Sequence, residues 1–129
     1  GDGDTRHFGT RQNMSILNKI IRKLKEKYQN YIFHFHTNNE TVSDKVLCDI
    51  PKERYIVYGK VTKVLFSFSH MINCDVLIVG DSSLSIAASY VNKGVIVVPS
   101  KLTCAEGKDI DIHPLNGIKK AISFENYLL

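Results

Sequence analysis

Two short runs of unbroken apolar residues constrain this chain more than anything else in it. Asp75-Val-Leu-Ile-Val79 and Val95-Ile-Val-Val98 are rich in β-branched residues, and Pro99 stops the second. Neither alternates with polar residues, so each reads as a strand covered on both faces, the pattern of a parallel sheet between helices. Between them, Leu84, Ile86, Ala87, Ala88 and Val91 form a short helix rich in small residues, ended by Asn92-Lys93-Gly94.

The same alternation extends upstream. Met14, Leu17, Ile21, Leu24 and Tyr28 recur at intervals of three and four and predict an amphipathic helix over 14–28, capped by Asn13 or Thr10. Tyr31 to Thr37 is aromatic and β-branched, interleaved with His34 and His36, and predicts a strand. A helix over Val42 to Cys48, a strand over Tyr55 to Tyr58 and a helix carrying Val61, Val64, Leu65, Phe68, Met71 and Ile72 follow. A last helix is expected around Ile118 to Ile122. The fold class is α/β: a Rossmann-like parallel sheet flanked by helices, with Asp75 to Val79 central.

At 129 residues the chain is one domain long. Its 43% apolar and 23% charged residues match a soluble globular protein. The longest apolar runs are far too short to span a bilayer, and Gly1 to Gln12 lacks the hydrophobic region of a signal peptide. The net charge of +4 gathers at Lys19, Arg22, Lys23, Lys25 and Lys27, read as the solvated face of a helix rather than a nucleic-acid surface. Cys48, Cys74 and Cys104 are odd in number and lack C-x-x-C spacing, which disfavours disulfides and zinc and favours a reducing, cytoplasmic compartment.

Ligands of open α/β sheets settle beyond the carboxyl ends of the strands. That rule selects Asp81-Ser82-Ser83-Leu84-Ser85, a turn of small hydroxyl residues opening a helix, whose free N–H groups and hydroxyls suit a phosphate or diphosphate. Asp81 or Ser82 also serves as a helix cap. Asn38, Asn39 and Glu40 follow a strand and read either as contacts to a base or ribose or as an Asx-rich turn. Arg6 and Arg11, beside the opening glycines, can neutralise a diphosphate. His34 and His36 share a strand face, with no carboxylate or third ligand placed to complete a metal site. There is no G-x-x-x-x-G-K-[ST] loop, complete G-x-G-x-x-G, G-x-S-x-G elbow or H-E-x-x-H, so an ATPase, serine hydrolase or zinc protease is disfavoured.

The stretch from Met71 to Lys101 resembles the third motif block of the α-1,2-fucosyltransferase family and its relatives. There a helix ending in Met and Cys leads to a strand, Asn-Ser-Ser-x-Ser, an alanine-bearing helix and an apolar strand closed by Pro. Ile32 to Glu40 is similar to the family's strand ending in Ser-Asp-Asp, and Gly1-Asp2 to the end of its H-x-R-x-G-D signature. Asp81 stands where the family has Asn, Leu84 and Ile86 where it has aromatic residues, and Asn38-Asn39 where it has paired aspartates.

The resemblance implies half of a GT-B glycosyltransferase, binding a GDP-sugar without a metal for transfer to a glycan acceptor. In that reading Ser82, Ser83 and Ser85 hold the diphosphate, Asn38, Asn39 and Glu40 contact base or ribose, and Arg6 or Arg11 assists with charge. No residue is assigned as the catalytic base, which is expected on an amino-terminal half of the same enzyme. A glycine-bearing loop opening the chain ahead of a helix usually follows a strand. A missing first strand is therefore expected, with an open sheet edge prone to self-association. The alternative is a non-catalytic flavodoxin-like phosphate-binding or signalling module.

Overall fold

The computed structural model describes residues 11–37, 44–59, 62–80, 83–98, 101–103, 109–111 and 121–129, with backbone only for 11–14, 83, 101–103 and 109–111. Helix α1 (Arg11–Lys27) leads to β1 (Phe33–His36), the short α2 (Asp44–Leu47), a 3-10 turn at Lys52–Arg54 and β2 (Tyr55–Tyr58). Helix α3 (Val64–Asn73), β3 (Val76–Ile78), α4 (Ser83–Val91) and β4 (Val95–Val98) follow. The chain closes with β5 (Lys101–Thr103), β6 (Asp109–Asp111), β7 (Ala121–Ser123) and α5 (Phe124–Tyr127).

All three strand pairs that build the core are parallel. β1 pairs with β2 in the register Phe33 to Tyr55 and His36 to Tyr58. β4 lies between β3 and β7, pairing Val76 with Val95 and Ile96 with Ala121. β5 and β6 make a separate antiparallel pair.

Side-chain parity then divides the strands between two helical layers. Phe33, Val76, Ile78, Val95, Val97 and Ile122 point into the layer that holds Ile20 and Leu24 of α1 and Phe124 and Tyr127 of α5. Leu77, Val79, Ile96 and Val98 point the other way, onto Met71 of α3 and Ala88 of α4. Val79, Ile96 and Val97 are fully buried, and each contributes about 1.5–3 kcal/mol relative to exposure. This is a small mixed α/β fold with parallel sheets flanked by helices.

The apolar stripe of α1 forms as its spacing predicts: Leu17, Ile20, Ile21 and Leu24 are buried while Lys19, Arg22 and Glu26 face water. Two of its lysines are engaged locally, Lys23 donating to the Tyr127 carbonyl and Lys25 to that of Asp49. At the end of α4, buried Asn92 donates to the carbonyls of Met71 (2.7 Å) and Cys74 (3.0 Å), and its own carbonyl oxygen accepts from Gly94 N–H (2.6 Å). One side chain thereby ties α3, α4 and β4 together. Gly94 is needed there, since a Cβ would collide with the backbone oxygen of Asp75.

Two expectations are corrected. Ala121 and Ile122 lie in a strand, not in the helix expected around Ile118 to Ile122, because β4 offers a parallel edge there and Ile122 fills the α1 layer. The central strand of the three is β4, and Val76 to Ile78 forms an edge of its sheet. Among the described residues no helix is long and apolar enough to cross a membrane.

Candidate functional site

The turn singled out in the sequence leaves the carboxyl end of β3. Val79 N–H still bonds to the Val97 carbonyl (2.9 Å), Gly80 is buried, and α4 begins at Ser83. Asp81 and Ser82 lie outside the described residues, and Ser83 is described only as the first residue of α4. Ser85 is buried, and its hydroxyl donates to the Gly80 carbonyl (3.2 Å). That bond ties the first turn of α4 back to the end of β3 and fixes the helix start relative to the strand. A helix start has N–H groups without intrahelical partners, the physical basis of anion binding at such a turn.

Asn38, Asn39, Glu40 and Arg6 also fall outside the described residues, and Arg11 is described only as the first backbone position of α1. Thr37, immediately before Asn38, is buried and donates its N–H to the Tyr58 carbonyl (3.0 Å). The chain is thus held in register with β2 up to the point where 38–40 begins.

Beside this strand end lies a group that the motifs did not reveal. His34 and His36 share a face of β1, Tyr58 stands opposite His36 on β2, and α3 brings Ser67 and His70 over them, one turn apart. The His36 ring stacks on Tyr58 with centroids 4.6 Å apart, and His70 meets His36 edge-on at 5.6 Å and His34 at 5.2 Å. His36 Nδ1 is 3.0 Å from Ser67 Oγ, and His34 Nδ1 is 3.1 Å from the Tyr58 hydroxyl. His36 Nε2 is buried with no hydrogen-bond partner.

Burial first, then the neighbouring His70 and His34, lower the His36 pKa to about 4. Burial and His70 also lower that of His34. His36 is therefore a neutral imidazole at physiological pH, able to exchange hydrogen bonds but carrying no charge for a phosphate. Among the described residues no three His, Cys, Asp or Glu side chains are placed to hold a metal. The period-two pairing of His34 with His36 was visible in the sequence. His70 and Ser67 came from a helix whose dominant signal was apolar.

A depression of about 490 Å³ lies elsewhere, lined by Ile72 to Asp75, Val91, Lys93 and Gly94. It sits at the amino ends of β3 and β4, away from the β3–α4 turn. Cys74 borders it as a free thiol whose pKa is raised by burial, and Cys48 is free and exposed.

The described residues thus set parallel strands between helical layers, with α4 starting at Ser83 soon after the end of β3. Comparison of the chain with protein-family models, with curated proteins and with solved structures finds no match.

Proposed function

We propose that this chain is the donor-binding domain of a fucosyltransferase-like glycosyltransferase of GT-B type, taking a GDP-sugar, with GDP-fucose first, for transfer to a glycan acceptor. The observation that carries the reading is the β3–α4 turn. β3 ends at Ile78, the buried Val79 and Gly80 follow, α4 begins at Ser83, and the buried Ser85 hydroxyl fastens the helix start to the Gly80 carbonyl. In the sequence, the Ser-Ser-x-Ser spacing that resembles the transferase motif follows Gly80 directly after Asp81.

In this reading an acceptor hydroxyl oxygen bonds to the sugar's anomeric carbon as that carbon's bond to the diphosphate oxygen breaks; the hydroxyl proton passes to the catalytic base, and GDP leaves with the bonding pair and gains charge. In the same reading N–H groups at the start of α4 and the hydroxyls of Ser82 and Ser83 receive that charge, and no metal is required for it. Asn38, Asn39 and Glu40, leaving the end of β1, are assigned to the base or ribose, and Arg6 or Arg11 to charge neutralisation. An acceptor site and catalytic base are assigned to an amino-terminal half of the same enzyme.

Calorimetric titration of GDP, UDP and guanosine into the chain and into the Ser82→Ala/Ser83→Ala double variant tests the reading. Each hydroxyl bond lost to a charged group costs about 1.5–3 kcal/mol, roughly ten- to a hundredfold in affinity. The expected result is GDP bound more tightly than guanosine, with that preference lost in the variant. Equal affinity of both proteins for GDP leaves the serines as helix caps and removes the proposal's support.

A further inference from the structure

Helix α3 is fastened at one end and only propped at the other. Its carboxyl half is seated in the apolar core, where Met71 is buried with Phe68 and Ile72 beside it, and Asn92 donates to the carbonyls of Met71 and Cys74. Its amino half has no such hold. Lys63, before the helix, supplies no capping side chain, and Val64 and Leu65 are 64% and 81% exposed. Among the described residues, what meets the start of α3 is the ring group on β1 and β2. Ser67 Oγ lies 3.0 Å from His36 Nδ1, and the Phe66 ring meets that of Tyr58 at 5.5 Å between centroids.

That prop is made of groups that take up protons. His34 and His36 on β1, Tyr58 on β2 and His70 on α3 are the titratable groups facing one another, with the Ser67 hydroxyl between them and the exposed Lys63 ahead of the helix. Among the described residues no carboxylate acts on His34 or His36. A proton on His36 places a cation 5.6 Å, ring centre to ring centre, from His70. It sets that cation under the first turn of α3, where the helix dipole opposes positive charge. With both ring nitrogens protonated, the buried, unpartnered Nε2 becomes an N–H without an acceptor. Released from the helix, the same rings regain water. Burial first, then the neighbouring histidines, make His34 and His36 harder to protonate in place than in the open, so acid favours the released form.

We propose that this histidine cluster is an acid-opened latch: protonation of its imidazoles lifts the first turn of α3 off β1 and β2, baring His36 and Ser67 beside the strand end at Thr37, while the carboxyl half of α3 stays seated. The opening is local, because Asn92 and the apolar contacts of Phe68, Met71 and Ile72 hold the rest of the helix without any histidine. The latch operates whether or not the strand end binds a nucleotide.

Backbone amide exchange by NMR, corrected for the intrinsic pH dependence of exchange, tests the latch on the chain and on its His36→Gln and His70→Gln variants. From about pH 7 to about pH 4.5, opening at Ser67 to His70 is expected to rise at least about tenfold in the chain and less than about threefold in His36→Gln. At the acid end it exceeds opening at Val79 and Val95 at least about tenfold and does not change with low urea, the mark of a local event. His70→Gln keeps His36 and its Ser67 partner but removes one neighbouring cation, so it reduces the rise at least about threefold and carries the test even where His36→Gln fails to fold. An equal rise in the chain and in either variant overturns the proposal. So does opening of Val79 and Val95 together with Ser67 to His70, which makes the acid effect one of global unfolding.

Discussion

The two parallel sheets are halves of one layered fold, with α1 and α3 against both, yet they differ sharply in chemistry. In the β3–β4–β7 half, the face turned toward α3 and α4 carries Leu77, Val79, Ile96 and Val98, all buried. In the β1–β2 half, the face turned toward α3 carries His34, His36 and Tyr58, with a buried imidazole nitrogen lacking a partner. The faces turned toward α1, by contrast, are apolar in both halves. The difference therefore does not come from strand architecture. The dry half stabilises the domain, and the polar half places titratable rings next to the strand end that leads to Asn38.

The comparison breaks most visibly under truncation of matched isoleucines. Ile96→Ala removes a fully buried side chain from the central strand of the dry half and should cost about 2–5 kcal/mol. Ile56→Ala, on a β2 side chain 46% exposed, should cost under about 1 kcal/mol. Urea unfolding monitored by circular dichroism reads both. Equal costs would mean that the polar half contributes as much to the core as the dry half.

A smaller effect sharpens the contrast through pH. An unfolded histidine titrates near 6.5, whereas His36 in the fold does so at about 4. Below 6.5 the unfolded state binds more protons, so this contribution is fully present above 6.5 and is lost as pH falls toward 4. Discounted for a side chain only half buried, the loss is roughly 1–2 kcal/mol. His36→Gln should flatten that part of the stability profile between pH 7 and 4.5. The same slope in variant and parent would assign the pH dependence to other groups.

What the sequence made legible tracks how local each signal is. Val76 to Ile78 and Val95 to Val98 were readable as buried parallel strands because each carries its whole signal in three or four residues. The α1 stripe was readable for the same reason. Ala121 to Ser123 was not, since its strand character depends on an edge offered by β4, some 25 residues earlier in the chain. Among candidate site residues, Ser85 lies in the first turn of α4 with its hydroxyl on the Gly80 carbonyl, and its contact to a ligand is a proposal. The His36, Tyr58, Ser67 and His70 group was invisible because two strands and a helix, each with its own period, must assemble before those rings meet.

The central claim is that the hydroxyl-rich turn after β3 receives a nucleoside diphosphate. Titrating GDP into isotopically labelled chain, and following every backbone amide by NMR, tests it most directly. The expected result is the largest shifts at Gly80 to Ser85, smaller ones at Thr37 to Glu40, and none at the depression around Asn73 and Lys93. Shifts confined to that depression or to the His34, His36 and His70 rings, with Gly80 to Ser85 unmoved at saturating GDP, would contradict it.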